Sequence, residues 1–163
     1  MPQLDTIRSG RLSKALGFLA ELYFGLFKDV DRELPPEDRL VAETTEEIAT
    51  VAWEGFIAAL HAPDIPTPRM IGELAAVGEV YRIGYPVLAG MDWLENRFML
   101  DVLSLPESTL QSALAFHYAN TTGVQRGWVQ EVIASRPALA AEALTAYWRS
   151  HLELHSTHIL GPI

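Results

Sequence analysis

The chain has 163 residues, 49% of them hydrophobic, with 12 basic against 21 acidic side chains and a net charge of −9. That length suits one domain, and the apolar share excludes a disordered tail. The lack of cysteine excludes a disulfide scaffold, a thiolate zinc site, an iron–sulfur cluster and a cysteine nucleophile, while the acidic balance argues against nucleic-acid or membrane partners.

Apolar residues recur at three- and four-residue spacings and no stretch alternates with period two, which predicts an all-α fold of seven or eight helices. A single domain is expected over 1–163, with an N-terminal apolar helix in 1–34 and a helical-repeat-like body over 44–163. The first helix is predicted from about Arg11 to Val30 with Ser9 as its N-cap. Its apolar centre, Ala15 to Phe27, follows Arg8, Arg11 and Lys14 but lacks the small-residue cleavage site of a signal peptide. With Glu21 at its middle it also falls short of the ~20 residues that cross a bilayer. It therefore reads as a buried or partner-covered helix. Lys14, Gly17, Glu21, Gly25 and Lys28 form a thin stripe on it, and its two glycines admit either a close helix–helix approach or no special role.

Pro35-Pro36 ends the segment after the first helix. Thr44 and Glu47 read as a capping box opening a helix to about His61, with Ile48, Val51, Ala52, Phe56, Ala59 and Leu60 inward. Thr67 caps a helix whose first position is Pro68 and whose buried stripe is Met70, Ile71, Leu74, Val77, Gly78 and Tyr81. Gly84 and Pro86 interrupt it before a helix carrying Val87, Leu88, Met91, Leu94 and Phe98. Ser104 and Pro106 start another, with Leu110, Ala113, Leu114, His117 and Tyr118 on one face. After the turn Asn120 to Gly123 comes a short helix with Trp128, Val129, Val132 and Ile133, and Ser135 and Pro137 restart the chain into a last helix to about His155.

The start signals Pro68, Pro106 and Pro137 recur within the span of about 20–45 residues typical of stacked helix-pair repeats. Ala113, Leu114 and Tyr118 return in register as Ala143, Leu144 and Trp148. An irregular helical repeat and a closed multi-helical bundle both remain open. The segments APDIPTP, YPVLAGMDWLENR, LPESTLQSALAFHYANTT and SRPALAAEALTAYWRSHL, within about 62–162, resemble HEAT-like helical-repeat regions of large bacterial proteins, some of which carry a nucleoside-triphosphatase module elsewhere. The resemblance implies a scaffold or recognition surface and brings no catalytic residue.

Among motifs with chemistry, HLELHSTH places His151 and His155 one turn apart, with His158 a further turn away if the helix persists. The three could hold a divalent metal such as zinc or nickel. They lack the Glu directly after the first His that marks a helical zinc protease, and they can equally be histidines at the margin of the core, favoured by the helix C-terminus. His117, beside Leu114 and Tyr118, reads as a hydrogen-bonded core histidine, and His61 as solvated. No Glu-x-x-His pair, P-loop, GxGxxG or GxSxG occurs. Asp29, Asp31 and Glu33 lack the glycine and spacing of a calcium loop. The ten arginines are dispersed, so no nucleic-acid groove is visible.

The expectation is a cytoplasmic, non-catalytic module that presents an apolar, aromatic surface to a protein partner or to a second copy of itself, with no required cofactor and at most an adventitious divalent metal. Trp53 and Trp93, displaced from the centres of their apolar stripes, are the expected anchors. The alternative is a metal- or small-ligand-binding helical protein centred on the C-terminal histidines.

Overall fold

The computed structural model describes residues 2–97 and 99–159, with side chains over 4–97 and 101–154. The described residues form ten helices and no strand: α1 (Pro2–Arg8), α2 (Lys14–Tyr23), α3 (Pro36–Glu43), α4 (Glu46–Ala59), α5 (Pro68–Ala76), α6 (Gly84–Arg97), α7 (Met99–Ser104), α8 (Glu107–Ala119), α9 (Gly127–Ser135) and α10 (Pro137–Ile159). The all-α prediction holds. The count exceeds the seven or eight expected because short helices occupy segments read as connections.

The first helix is the largest correction. Residues 2–8 form a helix of their own, and the N-cap of the next is Ser13, whose hydroxyl accepts the Leu16 N–H, rather than Ser9. That helix stops at Tyr23, well before Val30. Gly25 adopts φ +66° just past the C-cap Phe24. The Leu26 N–H bonds back to the Glu21 carbonyl and the Gly25 N–H to that of Leu22, which is the glycine-terminated Schellman arrangement. Gly25 therefore ends the helix, and a β-carbon at Gly17 would come no nearer than ordinary contact distance to its nearest neighbours, the Arg82 guanidinium and Leu12.

The loop that follows is organised by one side chain. Arg39 is buried, and its guanidinium donates to the backbone carbonyls of Tyr23, Asp31, Arg32 and Leu34. Five N–H donors in a rigid fork suit this gathering of carbonyls, which a lysine ammonium could not reproduce. Burial lowers the Arg39 pKa from its ordinary value. Pro36 then opens α3 instead of ending a segment, as its fixed φ and missing N–H allow at a first helical position.

Farther along, Thr45 rather than Thr44 caps α4, accepting the Ile48 N–H, while the Thr44 hydroxyl donates to the Leu40 carbonyl. Thr67 caps α5 and Pro68 begins it, as expected. The predicted buried stripe of α5 is too wide: Ile71 is buried, but Met70 is 43% and Val77 63% exposed. The helix expected to run past Tyr81 until Gly84 and Pro86 interrupt it already ends at Ala76, and Gly84 and Pro86 lie in the first turn of α6. Pro106, not Ser104, is the cap of α8, and Ser104 donates to the Asp101 carbonyl at the end of α7. Phe98 lies outside the described residues.

One connected core runs from Ile7 to Tyr147. α4 packs against α1, α2, α3 and α6, and α10 against α5, α8 and α9, with α6 also touching α2, α7, α8 and α9. α6 is thus central, with Val87, Leu88, Ala89 and Met91 fully buried. Two α8 hydroxyls fasten the connection after α4: Thr109 donates to the Leu60 carbonyl at 3.0 Å and Ser112 to that of Pro66 at 2.7 Å. Each satisfies a carbonyl that helix packing would otherwise strand away from water. The apolar N-terminal segment is covered from within, because Leu16, Leu19, Ala20, Leu22 and Tyr23 are all buried, leaving Leu12, Phe18 and Leu26 at the surface.

Candidate functional site

Antiparallel packing of α4 on α6 brings the two expected anchor residues together. The rings of Trp53 and Trp93 stack with centroids 4.4 Å apart and planes 21° from parallel. Both are half-buried. The helical period sets Thr50, Trp53, Glu54, Ile57 and Ala58 along one side of α4, and with Trp93 they line an open groove of about 450 Å³. The Arg97 guanidinium carbon lies 3.2 Å from the Trp93 ring centroid. Arg97 also binds Glu37 through both carboxylate oxygens, at 2.8 and 3.1 Å. On the other rim Arg8 Nε donates to Glu54 at 2.7 Å. The α4 end of the groove carries the exposed Glu46 and Glu47, one turn before Thr50. The Trp53 indole nitrogen is buried with no hydrogen-bond partner.

A second apolar hollow, about 430 Å³, lies on α10 between Leu144, Trp148 and Leu152. Trp148 is 45% exposed, and its ring lies 6.3 Å from that of Tyr118 on α8. The half-buried His151 ring sits 5.1 Å from both Tyr147 and Trp148. Of the proposed metal ligands, the side chains of His155 and His158 lie outside the described residues. Among the described residues no group of three His, Asp or Glu could hold a metal ion, and no helix is long and apolar enough to cross a membrane.

The most buried polar assembly was not singled out from the sequence. Asp92 interrupts the apolar run of α6, and its Oδ1 accepts from Arg126 Nε at 2.8 Å and from Trp128 Nε1 at 2.9 Å. The Arg126 and Asp92 side chains are only 1% and 8% exposed. Arg126 also donates to the Thr122 hydroxyl at 2.8 Å and contacts His117 Nδ1 at 3.2 Å. A guanidinium can only donate, so Nδ1 accepts and His117 is neutral with its proton on Nε2. Burial and the adjacent Arg126 charge both lower the His117 pKa, burial more. Desolvation raises the pKa of Asp92 against the opposing pull of Arg126. Glu95, one turn on, accepts the backbone N–H groups of Trp128 and Gly127 at the start of α9, where a carboxylate complements the helix dipole. The one signal in the sequence was a single acidic residue within VLAGMDWL; its cationic partner is more than thirty residues away and among ten dispersed arginines.

Compared with known proteins, the chain matches no family model, no curated protein and no solved structure.

Proposed function

We propose that the chain is a non-catalytic interaction module whose Trp53–Trp93 face receives an amphipathic helix from a protein partner. The observation that carries this reading is the stacked tryptophan pair itself. Two large aromatic rings held half-exposed beside an open apolar groove, rimmed by Arg97 and the Arg8–Glu54 pair, have the composition of an interface anchor. The groove follows one side of α4, which suits a helix presenting apolar residues at three- and four-residue spacing. Its acidic end, Glu46 and Glu47, and the net charge of −9 favour a partner helix with lysine or arginine beside its apolar residues.

The HEAT-like reading of the body belongs to the same proposal. Its support is the side-by-side placement of Tyr118 and Trp148 on α8 and α10, matching positions of the suggested repeat, with Ala113 and Ala143 both buried.

The test is selection of helical peptides from a display library containing amphipathic sequences of either charge, followed by affinity measurement. Basic amphipathic peptides are expected to bind, with Trp93→Ala and Thr50→Arg each weakening them at least tenfold while the helical circular dichroism stays unchanged. Selection of acidic peptides, or unchanged affinity in both variants, would overturn the assignment of this face. Sedimentation of the isolated chain as a dimer dissociated by Trp93→Ala would replace the partner helix with a second copy.

A further inference from the structure

A separate surface runs along the outer side of α10. The helix packs on α5, α8 and α9 and buries Leu139, Ala140, Ala143, Tyr147 and Ser150 on that side. The opposite side is Ala138, Ala141, Thr145, Trp148 and Leu152, all exposed. Their spacing alternates between three and four residues, which is the seam of a helix that pairs with another helix. A face built for water carries its charges at such central positions. Here Glu142 and Arg149 stand along one edge of the seam, one heptad apart, and Leu144 and His151 along the other. The open hollow of about 430 Å³ lies between Leu144, Trp148 and Leu152.

This seam is complementary to itself in one register. Consider two copies of α10 running antiparallel, with a two-fold axis crossing the pair between positions 146 and 147. Thr145 then lies against the partner's Trp148 and Ala141 against the partner's Leu152, so each large side chain meets a small one. The same register sets Glu142 beside the partner's Arg149, and symmetry repeats that pair on the other side of the axis. Glu142 accepts a bond from Gln111 Nε2 at 3.3 Å through Oε2, and a carboxylate has a second oxygen for an arginine. Displacing one copy by seven residues sets the two Glu142 side chains, or the two Arg149 side chains, against each other. A parallel pair puts Trp148 on Trp148 and brings no opposite charges together along the edges. Volume and charge thus select the same alignment independently.

We propose that the chain forms a symmetric dimer through α10, antiparallel and in this register, with reciprocal Glu142–Arg149 pairs at its rim. From Ala138 to Leu152 the seam is about 21 Å long at 1.5 Å per residue. A contact of that length belongs to the small class, so the dimer is reversible, with a dissociation constant on the order of 10 μM. The Trp53–Trp93 face belongs to α4 and α6 and takes no part, so either assignment can fail alone.

The experiment is sedimentation equilibrium of the chain over roughly 1 μM to 1 mM, which brackets such an affinity, with helical circular dichroism as the check on folding. The wild-type chain is expected to dimerise, and Trp93→Ala to leave the dimer unchanged. Trp148→Ala and the exposed Leu152→Lys should each weaken it at least tenfold. Glu142→Arg and Arg149→Glu each oppose like charges across the axis and should each weaken it about tenfold. Mixing these two charge variants restores both ion pairs, so the mixture should associate about as tightly as the wild type. The proposal is overturned by a wild-type chain that stays monomeric throughout, or by unchanged association in folded Leu152→Lys. A mixture of the charge variants no tighter than either alone would overturn the antiparallel register. Dissociation by Trp93→Ala and not by Leu152→Lys would move self-association to the tryptophan face and overturn the α10 assignment.

Discussion

Gly90 of α6 lies directly on the backbone of Phe56 in α4: a β-carbon at Gly90 would stand 2.4 Å from the Phe56 carbonyl oxygen. This contact sets the spacing of the two helices, and the tryptophan stack is its consequence one turn away. Trp53 precedes Phe56 by three residues and Trp93 follows Gly90 by three, so antiparallel helices touching at the glycine bring the two indoles face to face. Gly90→Ala must push the helices apart. The expected cost is about 2–3 kcal/mol in urea denaturation, in the upper part of the range for overpacked cores, with loss of the near-ultraviolet circular dichroism of the coupled indoles. A variant of wild-type stability that keeps this signal would mean the crossing does not depend on the glycine.

At Trp53 the ring and the N–H have opposite effects. The ring contributes the stacking contact with Trp93, whereas the buried indole nitrogen has no acceptor. Trp53→Phe keeps an aromatic face and removes the unsatisfied donor, so its expected change in stability is under about 1 kcal/mol. Trp53→Ala forfeits the stacked ring and is expected to cost about 2–3 kcal/mol, moderated by the half-exposed position. Equal losses in the two variants would show that the N–H is satisfied in solution.

The difference between what could and could not be read from the residues follows from the range of each interaction. Thr67 with Pro68, the inward face of α4 and the buried Trp128 were legible because caps and apolar periodicity act within a few positions. The same locality identified Trp53 and Trp93 as displaced from their stripes, although their stacking on one another required the helix crossing. Continuous apolar character hid the break between α2 and the following loop. There Gly25 ends the helix and the distant Arg39 gathers the carbonyls, so the deciding contacts span up to sixteen positions. The Asp92 centre was illegible for the same reason, since its parts come from α6, α8, the 120–126 turn and α9.

Arg39 offers a direct test of that organising role. Its guanidinium satisfies four carbonyls of the 23–34 segment, two through NH2 alone. Arg39→Lys retains the charge and loses the fork, and with three donors for four carbonyls it leaves at least one unpaired, for an expected cost of about 1–3 kcal/mol. Backbone amide exchange should accelerate in residues 24–35 more than in α8. Uniform acceleration across the chain would indicate a global loss of stability in place of a local one.

The buried ion pair should show a cost that depends on pH. Arg126→Met removes the only cation bonded to Asp92 among the described contacts and leaves a charged carboxylate in the core, for which about 3–5 kcal/mol is expected at neutral pH. Desolvation already raises the Asp92 pKa in the intact protein, and losing Arg126 removes the main influence lowering it. A group with a raised folded pKa favours folding as pH falls, since the native state then binds the extra proton. The penalty of Arg126→Met should therefore shrink on acidification toward pH 5. A penalty that is constant with pH would show that Asp92 is not the group left uncompensated.

His117 carries the opposite sign. Its folded pKa lies below the ordinary value of 6.5 because burial and Arg126 disfavour the imidazolium, and its Nδ1 must stay unprotonated to accept from Arg126. The unfolded chain accordingly takes up its proton first as pH falls. Stability contributed by the neutral ring is complete above about pH 6.5 and is lost as pH falls through the folded pKa. His117→Asn places an amide oxygen near the position of Nδ1 and cannot titrate, so it should keep the Arg126 contact while removing this part of the acid response. In urea denaturation between pH 7.5 and 5, the difference in stability between variant and wild type should move in the variant's favour as pH falls, whatever its value at pH 7.5. Parallel curves across that range would mean that His117 is protonated as readily in the folded protein as in the unfolded chain, and the neutral acceptor assigned to it beside Arg126 would be wrong.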